Sequence, residues 1–411
     1  MSLTTCQENA VTEFTKFILD SNQQEFILTG SGGTGKTHLI ADFINVLDKQ
    51  KSLYDLGLST YAINNTLLIA PTHKAAKILS DKTNKDVFTI HSALNLKRFF
   101  DPDTGDEIFK PDPKKQPVKF RSTLIIIDEA SMIDSYLLDL FKDALDDKSK
   151  VLYLGDEFQL SPVNESYSPI FKLHVNSVEL TSLVRFSDKE LSDLVIACRE
   201  AVRTNTYPKL INNNKNIQLY NKNEFIRNAL QDFKANNDTV ILAWTNKKVK
   251  EYSSIVHKSL YQNTPYNVGQ SLIVNKPFNS TTNLLSTEST LFIQEILGSE
   301  SEKINGVLLE YLRIRTDKGI INICDTPKLL IKALKPYKEN KDWYSFYNTR
   351  EKFANVRNSY STTIHKSQGS TYHTVYIDLP DLMRNPKRNE LLRLLYVAIS
   401  RASHKIVFLK E

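Results

Sequence analysis

Seven short segments of the chain, residues 26–29, 67–70, 124–127, 151–154, 240–243, 375–379 and 406–409, are almost wholly apolar. Continuous apolar runs of four or five residues, as opposed to alternating ones, predict strands covered on both faces, as in parallel sheets. The stretches between them read as helices: 37–49 sets Leu39, Ile40, Phe43, Ile44 and Leu47 on one helical face, and 136–145 and 246–260 follow the same period. The alternation predicts β-α-β units in two batches, one ending near residue 175 and the other starting near 179 and resuming after about residue 356. Two stretches break it. Residues 97–121 are rich in Pro, Asp and Lys around a turn at Asp103, Gly105 and Asp106, which predicts a β-hairpin or a long charged loop. Residues 268–357 carry strand-like pieces at 271–274, 308–316 and 319–324 and then an aromatic, charged stretch at 337–353. The expected layout is an α/β domain over 1–96 and 122–175 interrupted by the 97–121 hairpin, and a second over 176–267 and 358–411 interrupted by a larger, β-rich insertion at 268–357.

Composition narrows the class. A chain of 411 residues with 41% apolar and 24% charged residues is a soluble globular protein of two or three domains, which excludes disorder and collagen-like repeats. No apolar run reaches the roughly 18 to 20 residues that span a bilayer, and the N-terminus has no signal pattern, so a cytoplasmic protein without a membrane partner is expected. Cys6, Cys198 and Cys324 lie far apart, with no C-x-x-C pair, which argues against a disulfide framework or a zinc knuckle. The 53 Lys+Arg against 47 Asp+Glu leave +6, an excess that permits nucleic-acid binding without requiring it.

The chemistry starts directly after the first apolar strand, where Gly30-Ser31-Gly32-Gly33-Thr34-Gly35-Lys36-Thr37 opens an amphipathic helix. This is G-x-x-x-x-G-K-[ST] in its strand-loop-helix setting. The glycines let consecutive backbone N–H groups turn inward around phosphate oxygens, and the helix N-terminus adds its dipole. Lys36 is expected to reach the β and γ phosphates and Thr37 to ligate Mg²⁺. The acidic pair that such a site needs stands at the end of the 124–127 strand: Asp128 to hold Mg²⁺, Glu129 to orient or deprotonate the attacking water.

A phosphate loop alone also fits kinases, GTPases and transporters. Downstream, Gly155-Asp156-Glu157-Phe158-Gln159-Leu160-Ser161-Pro162-Val163 puts a neutral amide, Gln159, just past a fourth buried strand, where it can sense the γ-phosphate. Here the sequence resembles a superfamily 1 helicase, a family marked by G-D-x-x-Q-L-x-P-V. Further strings match that pattern in order: 3–10 around Gln7, 70–79, 89–92, 180–185, 362–371 and 394–402. The forms Asp128-Glu129-Ala130-Ser131-Met132 and His365-Lys366-Ser367-Gln368-Gly369 are similar to the RecD and phage Dda branch, superfamily 1B, whereas the UvrD-like branch typically has Lys where Gln368 stands. His373 departs from the pattern, in which an acidic residue is common.

The resemblance implies two RecA-like P-loop domains with ATP between them. It implies that Gln7 reads adenine, that Arg185 contacts the γ-phosphate, and that Arg401 is the arginine finger. Pro71, Thr72, His73, His91 and Ser92 in the first domain, and Thr363 and His365 in the second, are implied to contact single-stranded DNA. The expected activity is ATP-dependent translocation from 5′ to 3′ with duplex unwinding in replication, repair or recombination. ATP and Mg²⁺ are the expected cofactors. Single-stranded DNA and forked duplex are the expected partners, single-strand-binding or replication proteins are candidates beside them, and the expected state is a monomer in the cytoplasm of a bacterial or phage-infected cell. The 97–121 insertion would supply the strand-separating pin, with Phe99 or Phe100 stacking on a base; adjacent strand residues point to opposite faces, so only one can be the wedge. The alternative is an ATP-gated nucleic-acid binding or loading protein that does not separate strands.

Overall fold

The continuous apolar runs become buried parallel strands. The computed structural model describes residues 3–410 except 58–62, 163–164, 187, 236, 263 and 283, so Val163, the last residue of the 155–163 string, lies outside the described residues. The chain divides into two compact units: Met1–Leu96 with Pro111–Val249 and Thr362–Glu411, and Lys97–Lys110 with Lys250–Ser361.

The first unit contains both parallel sheets. One has six strands in the order Val87–Thr89, Asn65–Ala70, Thr123–Ile127, Lys150–Gly155, Glu25–Gly30 and Ser177–Leu180, every neighbour parallel. The central strands Thr123–Ile127 and Lys150–Gly155 are buried at every position, which is why their sequence does not alternate. The helix after the phosphate loop runs Leu39–Asp55 and buries Leu39, Ile40, Phe43, Ile44 and Leu47. It starts two residues later than the period predicts, because the N–H groups of His38 and Leu39 both turn back to the Gly35 carbonyl (2.9 and 3.2 Å) in a tight turn that joins loop to helix. The other sheet has the order Ser361–Thr363, Thr239–Ala243, Tyr372–Asp378, Ala402–Leu409, Ile217–Tyr220, with parallel pairing from Thr239–Ala243 through Ile217–Tyr220. Helices Lys189–Thr204 and Arg388–Ser400 pack on it, joining Leu191, Val195, Leu391 and Leu395 to the strand residues Val240, Leu242, Val375 and Ile406 in one core.

In the second unit an antiparallel sheet takes the order Gly319–Cys324, Val307–Thr316, Thr290–Ile304, Ser271–Lys276, Asn355–Asn358, around a core that includes Leu272, Val274, Phe278, Leu291 and Ile314. Helices Pro327–Glu339 and Trp343–Arg350 follow. The hairpin Leu96–Phe100 with Glu107–Pro111 is braced against the second of them. The Phe100 ring stacks on Tyr347 with centroids 4.1 Å apart at 11°, and the Arg98 guanidinium lies 5.3 Å from the Phe100 centroid and 5.6 Å from that of Tyr347. Arg98 also pairs with Glu351 at 2.8 Å. At the turn, the Tyr347 hydroxyl donates to the Gly105 carbonyl (2.9 Å). Gly105 has φ +73°, and a Cβ there would come 2.5 Å from the Trp343 ring, so both backbone and space demand glycine. The hairpin ladder ends at Pro111, where Pro111, Pro113 and Pro117 withhold backbone donors. No helix among the described residues is long and apolar enough to cross a membrane.

Candidate ATP site and nucleic-acid contacts

The phosphate loop is a turn between a buried strand and a buried helix, and its polar side chains are turned inward. Lys36 is buried, and its Nζ donates to the carbonyls of Gly30 (2.6 Å) and Ser31 (3.1 Å). Burial lowers its pKa, and the carboxylates of Asp156, Glu129 and Asp128 oppose that shift. The Thr37 hydroxyl donates to Asp128 Oδ2 at 2.9 Å, and Asp128 Oδ1 accepts the N–H of Glu129 at 2.9 Å. Glu129 adopts φ +51°, a left-handed conformation that is uncommon outside glycine. Its carboxyl is held above the ordinary glutamate range, first by burial and then by Asp128, with Arg401 and Lys36 pulling the other way.

Facing the loop are two guanidiniums, Arg401 buried and Arg185 half-buried. The backbone N–H groups of Val184 and Arg185 donate to the Gly33 carbonyl (2.9 and 3.0 Å), which holds Arg185 against the loop, and Arg185 Nη1 donates to the Ser400 carbonyl at 3.0 Å. Burial, and then the charge of Arg401, push the Arg185 pKa down to about 10. Arg401 Nη2 donates to Ser400 Oγ (2.7 Å) and Nη1 to the Ser370 carbonyl (3.3 Å). Gln159 is buried; its Nε2 donates to Asp156 at 3.4 Å, and its Oε1 accepts from Gln368 Nε2 at 3.4 Å, a link between the two sheet domains. Gln7 closes the near end, taking the Thr4 N–H at Oε1 (2.9 Å) and donating from Nε2 to the Thr34 carbonyl (3.0 Å). Lys36, Thr37, Asp128, Glu129, Gln159, Arg185 and Arg401 line one cavity of about 610 Å³. Thr37 and Asp128 put hard oxygen donors side by side, the donor type and number that suit Mg²⁺ shared with phosphate.

The expected DNA contacts are less uniform. Thr72 caps the helix His73–Thr83 by accepting the Ala75 N–H (3.2 Å), and Thr72, His73 and Ser92 are exposed while Pro71 and His91 are half-buried. His73 lies near enough to His91 to add its charge to the burial that lowers the His91 pKa, against Asp134. Thr363 is buried, its hydroxyl accepting the Lys366 N–H (3.4 Å), whereas His365 is exposed, 3.7 Å from Glu390. Phe100 is engaged by Tyr347, and Phe99, its half-buried neighbour, points to the other side of the strand. Asp156 and Tyr396 lie within the matched strings 155–163 and 394–402, but the sequence assigns no role to either, nor to Arg199 or Arg393. Arg393 Nη1 donates to the carbonyls of Glu157 (2.5 Å) and Gln159 (2.6 Å), and the Arg199 side chain pairs with Glu179 at 2.6 Å and approaches Asp156 at 3.8 Å. The available signal was polar residues breaking the apolar helical stripes.

Residues 2–230 match the family model of an AAA domain, and residues 358–409 match that of a UvrD-like helicase C-terminal domain. The chain is 27% identical to an uncharacterised protein of Acanthamoeba polyphaga mimivirus and 25% identical to the ATP-dependent DNA helicase Dda of enterobacteria phage T4, with 99% of each chain covered in both cases. Its fold is similar to that of the Pif1 helicase from Candida albicans, with a TM-score of 0.53 at 16% identity over 100% of this chain and 95% of that one. With its family models, its relatives and its paired α/β sheets in agreement, the chain belongs to the superfamily 1B helicases of the RecD/Dda branch, enzymes of the P-loop ATP hydrolase class.

Proposed function

We propose that the protein is a DNA motor that hydrolyses ATP in the cavity around Lys36, moves along single-stranded DNA from 5′ to 3′ and unwinds duplex. The observation that carries the reading is the meeting of opposed charge around one cavity. Lys36, Thr37, Asp128, Glu129 and Gln159 come from the first sheet domain, and Arg185 and Arg401 face them. Burial, and then the charge of Arg401, disfavour the protonated form of Arg185, so the pair gains from a polyanion beside it.

In this reading the loop amides and Lys36 bind the phosphates, and Gln7 borders the adenine. Thr37 and Asp128 would hold Mg²⁺, which when bound would neutralise phosphate charge. Glu129, next to Asp128 in the same cavity, accepts the proton of the attacking water. Arg401, with Arg185, stabilises charge on the transferred phosphoryl group, a device worth about 10³ to 10⁵ in rate among related NTPases. Gln159 and Gln368 connect phosphate occupancy to the strand-binding segments. Pro71, Thr72 and His73 at a helix N-terminus, His91 and Ser92, and Thr363 and His365 hold the strand backbone, and the hairpin carrying Phe99 splits the duplex.

Strand displacement on duplexes bearing either a 5′ or a 3′ single-stranded tail tests activity and polarity together. ATP-dependent release from the 5′-tailed substrate alone is expected. Release from the 3′-tailed substrate overturns the polarity; ATP-dependent changes in affinity with no release would make the protein a gated binding or loading factor.

A further inference from the structure

Three side chains of the helix Arg388–Ser400 face the first sheet domain: Arg393, Tyr396 and Ser400, three and four residues apart and therefore along one helical face. Tyr396 is the central one and is fully buried. Its hydroxyl has two partners of opposite kind. It donates to Asp156 Oδ2 at 2.5 Å and accepts the N–H of Gly32, in the phosphate loop, at 3.3 Å. Asp156 is also fully buried, directly follows the strand Lys150–Gly155 and leads into the turn that carries Gln159. Hydroxyl-to-carboxylate hydrogen bonds of this length are among the strong ones. Gly32 stands against the helix end, since a Cβ there would lie 3.2 Å from Ser400 Cβ and 3.5 Å from Arg401 Nη2. One hydroxyl thus joins the phosphate loop, the Gln159 turn and the helix that ends at the finger.

We propose that Tyr396 is a positioning residue for phosphoryl transfer, its hydroxyl setting the register between the phosphate loop and Arg401. The assignment rests on the ATP-hydrolysing reading above. Tyr396 acts through Gly32, Asp156 and the helix, while Arg401 remains the group that meets the developing charge. Removing the hydroxyl leaves the ring and its packing but frees the loop N–H and the carboxylate, so the helix can settle in other registers. An interaction needed only as transition-state charge develops is lost from kcat and not from ATP binding.

The test is Tyr396→Phe in the full chain, assayed with a single-stranded oligonucleotide. The expected result is a kcat at least about tenfold lower, or about 1.4 kcal/mol, with the KM for ATP little changed. Affinity for ADP with aluminium fluoride should fall in step with kcat while affinity for ADP alone is kept, a split that loss of packing does not produce. Unchanged turnover overturns the assignment, as does a parallel loss of ADP affinity and melting temperature. If Tyr396→Phe loses its cooperative melt, Asp156→Asn weakens the same hydrogen bond from the other side at constant volume, and the same split is expected; equal losses in both nucleotide affinities would again overturn it. Wild-type protein that hydrolyses no ATP, with or without DNA, would instead overturn the motor reading.

Discussion

Replacing Phe100 by Ala separates two uses of the adjacent phenylalanines. Truncating a fully buried Phe costs about 3 to 5 kcal/mol, and Phe100 is half-buried, so about 2 kcal/mol is a fair share. The 4.1 Å stack on Tyr347 adds roughly 0.5 to 1.5 kcal/mol, and Arg98 over the Phe100 ring adds roughly 0.5 to 1 kcal/mol. The sum, about 3 to 4.5 kcal/mol, acts locally between hairpin and helix. Amide hydrogen exchange should show it as lost protection where Gly105 N–H meets the Asp101 carbonyl and Asp101 N–H meets that of Asp106 (2.9 Å each). Strand displacement should slow with it, while single-strand-stimulated ATP hydrolysis stays. Phe99→Ala should also slow strand displacement, yet leave that protection intact. A cycle of Phe100→Ala with Tyr347→Ala should give a coupling of about 0.5 to 1.5 kcal/mol. Coupling near zero, or unchanged exchange in Phe100→Ala, would refute the brace; parallel loss of exchange protection in Phe99→Ala would refute the division of labour.

Lys36→Ala should abolish ATP hydrolysis and retain single-strand binding, read by anisotropy on the same preparation. Arg401→Ala should slow hydrolysis by about 10³-fold or more while nucleotide affinity, measured by calorimetry, remains measurable. Gly32→Ala places a methyl 3.2 Å from Ser400 Cβ, so kcat should fall without loss of ADP affinity, and a wild-type kcat would show that loop and helix end do not press on each other during turnover. Single-strand affinity should fall linearly on a log-log plot against salt as phosphate contacts release counterions; a flat response contradicts backbone gripping.

Where burial on both faces suppresses alternation, as in Thr123–Ile127, strand and parallel pairing were legible from the sequence. That Lys36, Thr37, Asp128 and Glu129 come together in one cavity was legible too, because local spacing sets each pair at the end of a buried strand. What escaped has one physical origin. Tyr396, Arg393 and Arg199 act across pairs separated by 20 to 364 positions, and no local period encodes a partner that distant. Lys150 escaped for a related reason: a lysine opening an apolar strand looks like its exposed end. It is buried, with its ammonium donating to the carbonyls of Phe17, Asp20 and Gln23, where it closes the end of the helix Thr5–Leu19. The fate of Phe100 depended on Tyr347, which lies in an insertion that sequence alone treats as separate.

The strand order of the second parallel sheet bears on how the protein is made. Ile217–Tyr220 and Thr239–Ala243 leave the ribosome early, yet they never touch: Tyr372–Asp378 and Ala402–Leu409 lie between them. The six strands of the first sheet are all encoded by residue 180, so that half can fold while the rest is being translated. The second sheet has to wait for Ala402–Leu409, with its two early strands unpaired through the synthesis of more than a hundred residues. A chain stopped before Ala402 would present a finished nucleotide loop beside exposed strand edges, the kind of surface that chaperones bind and aggregates grow from.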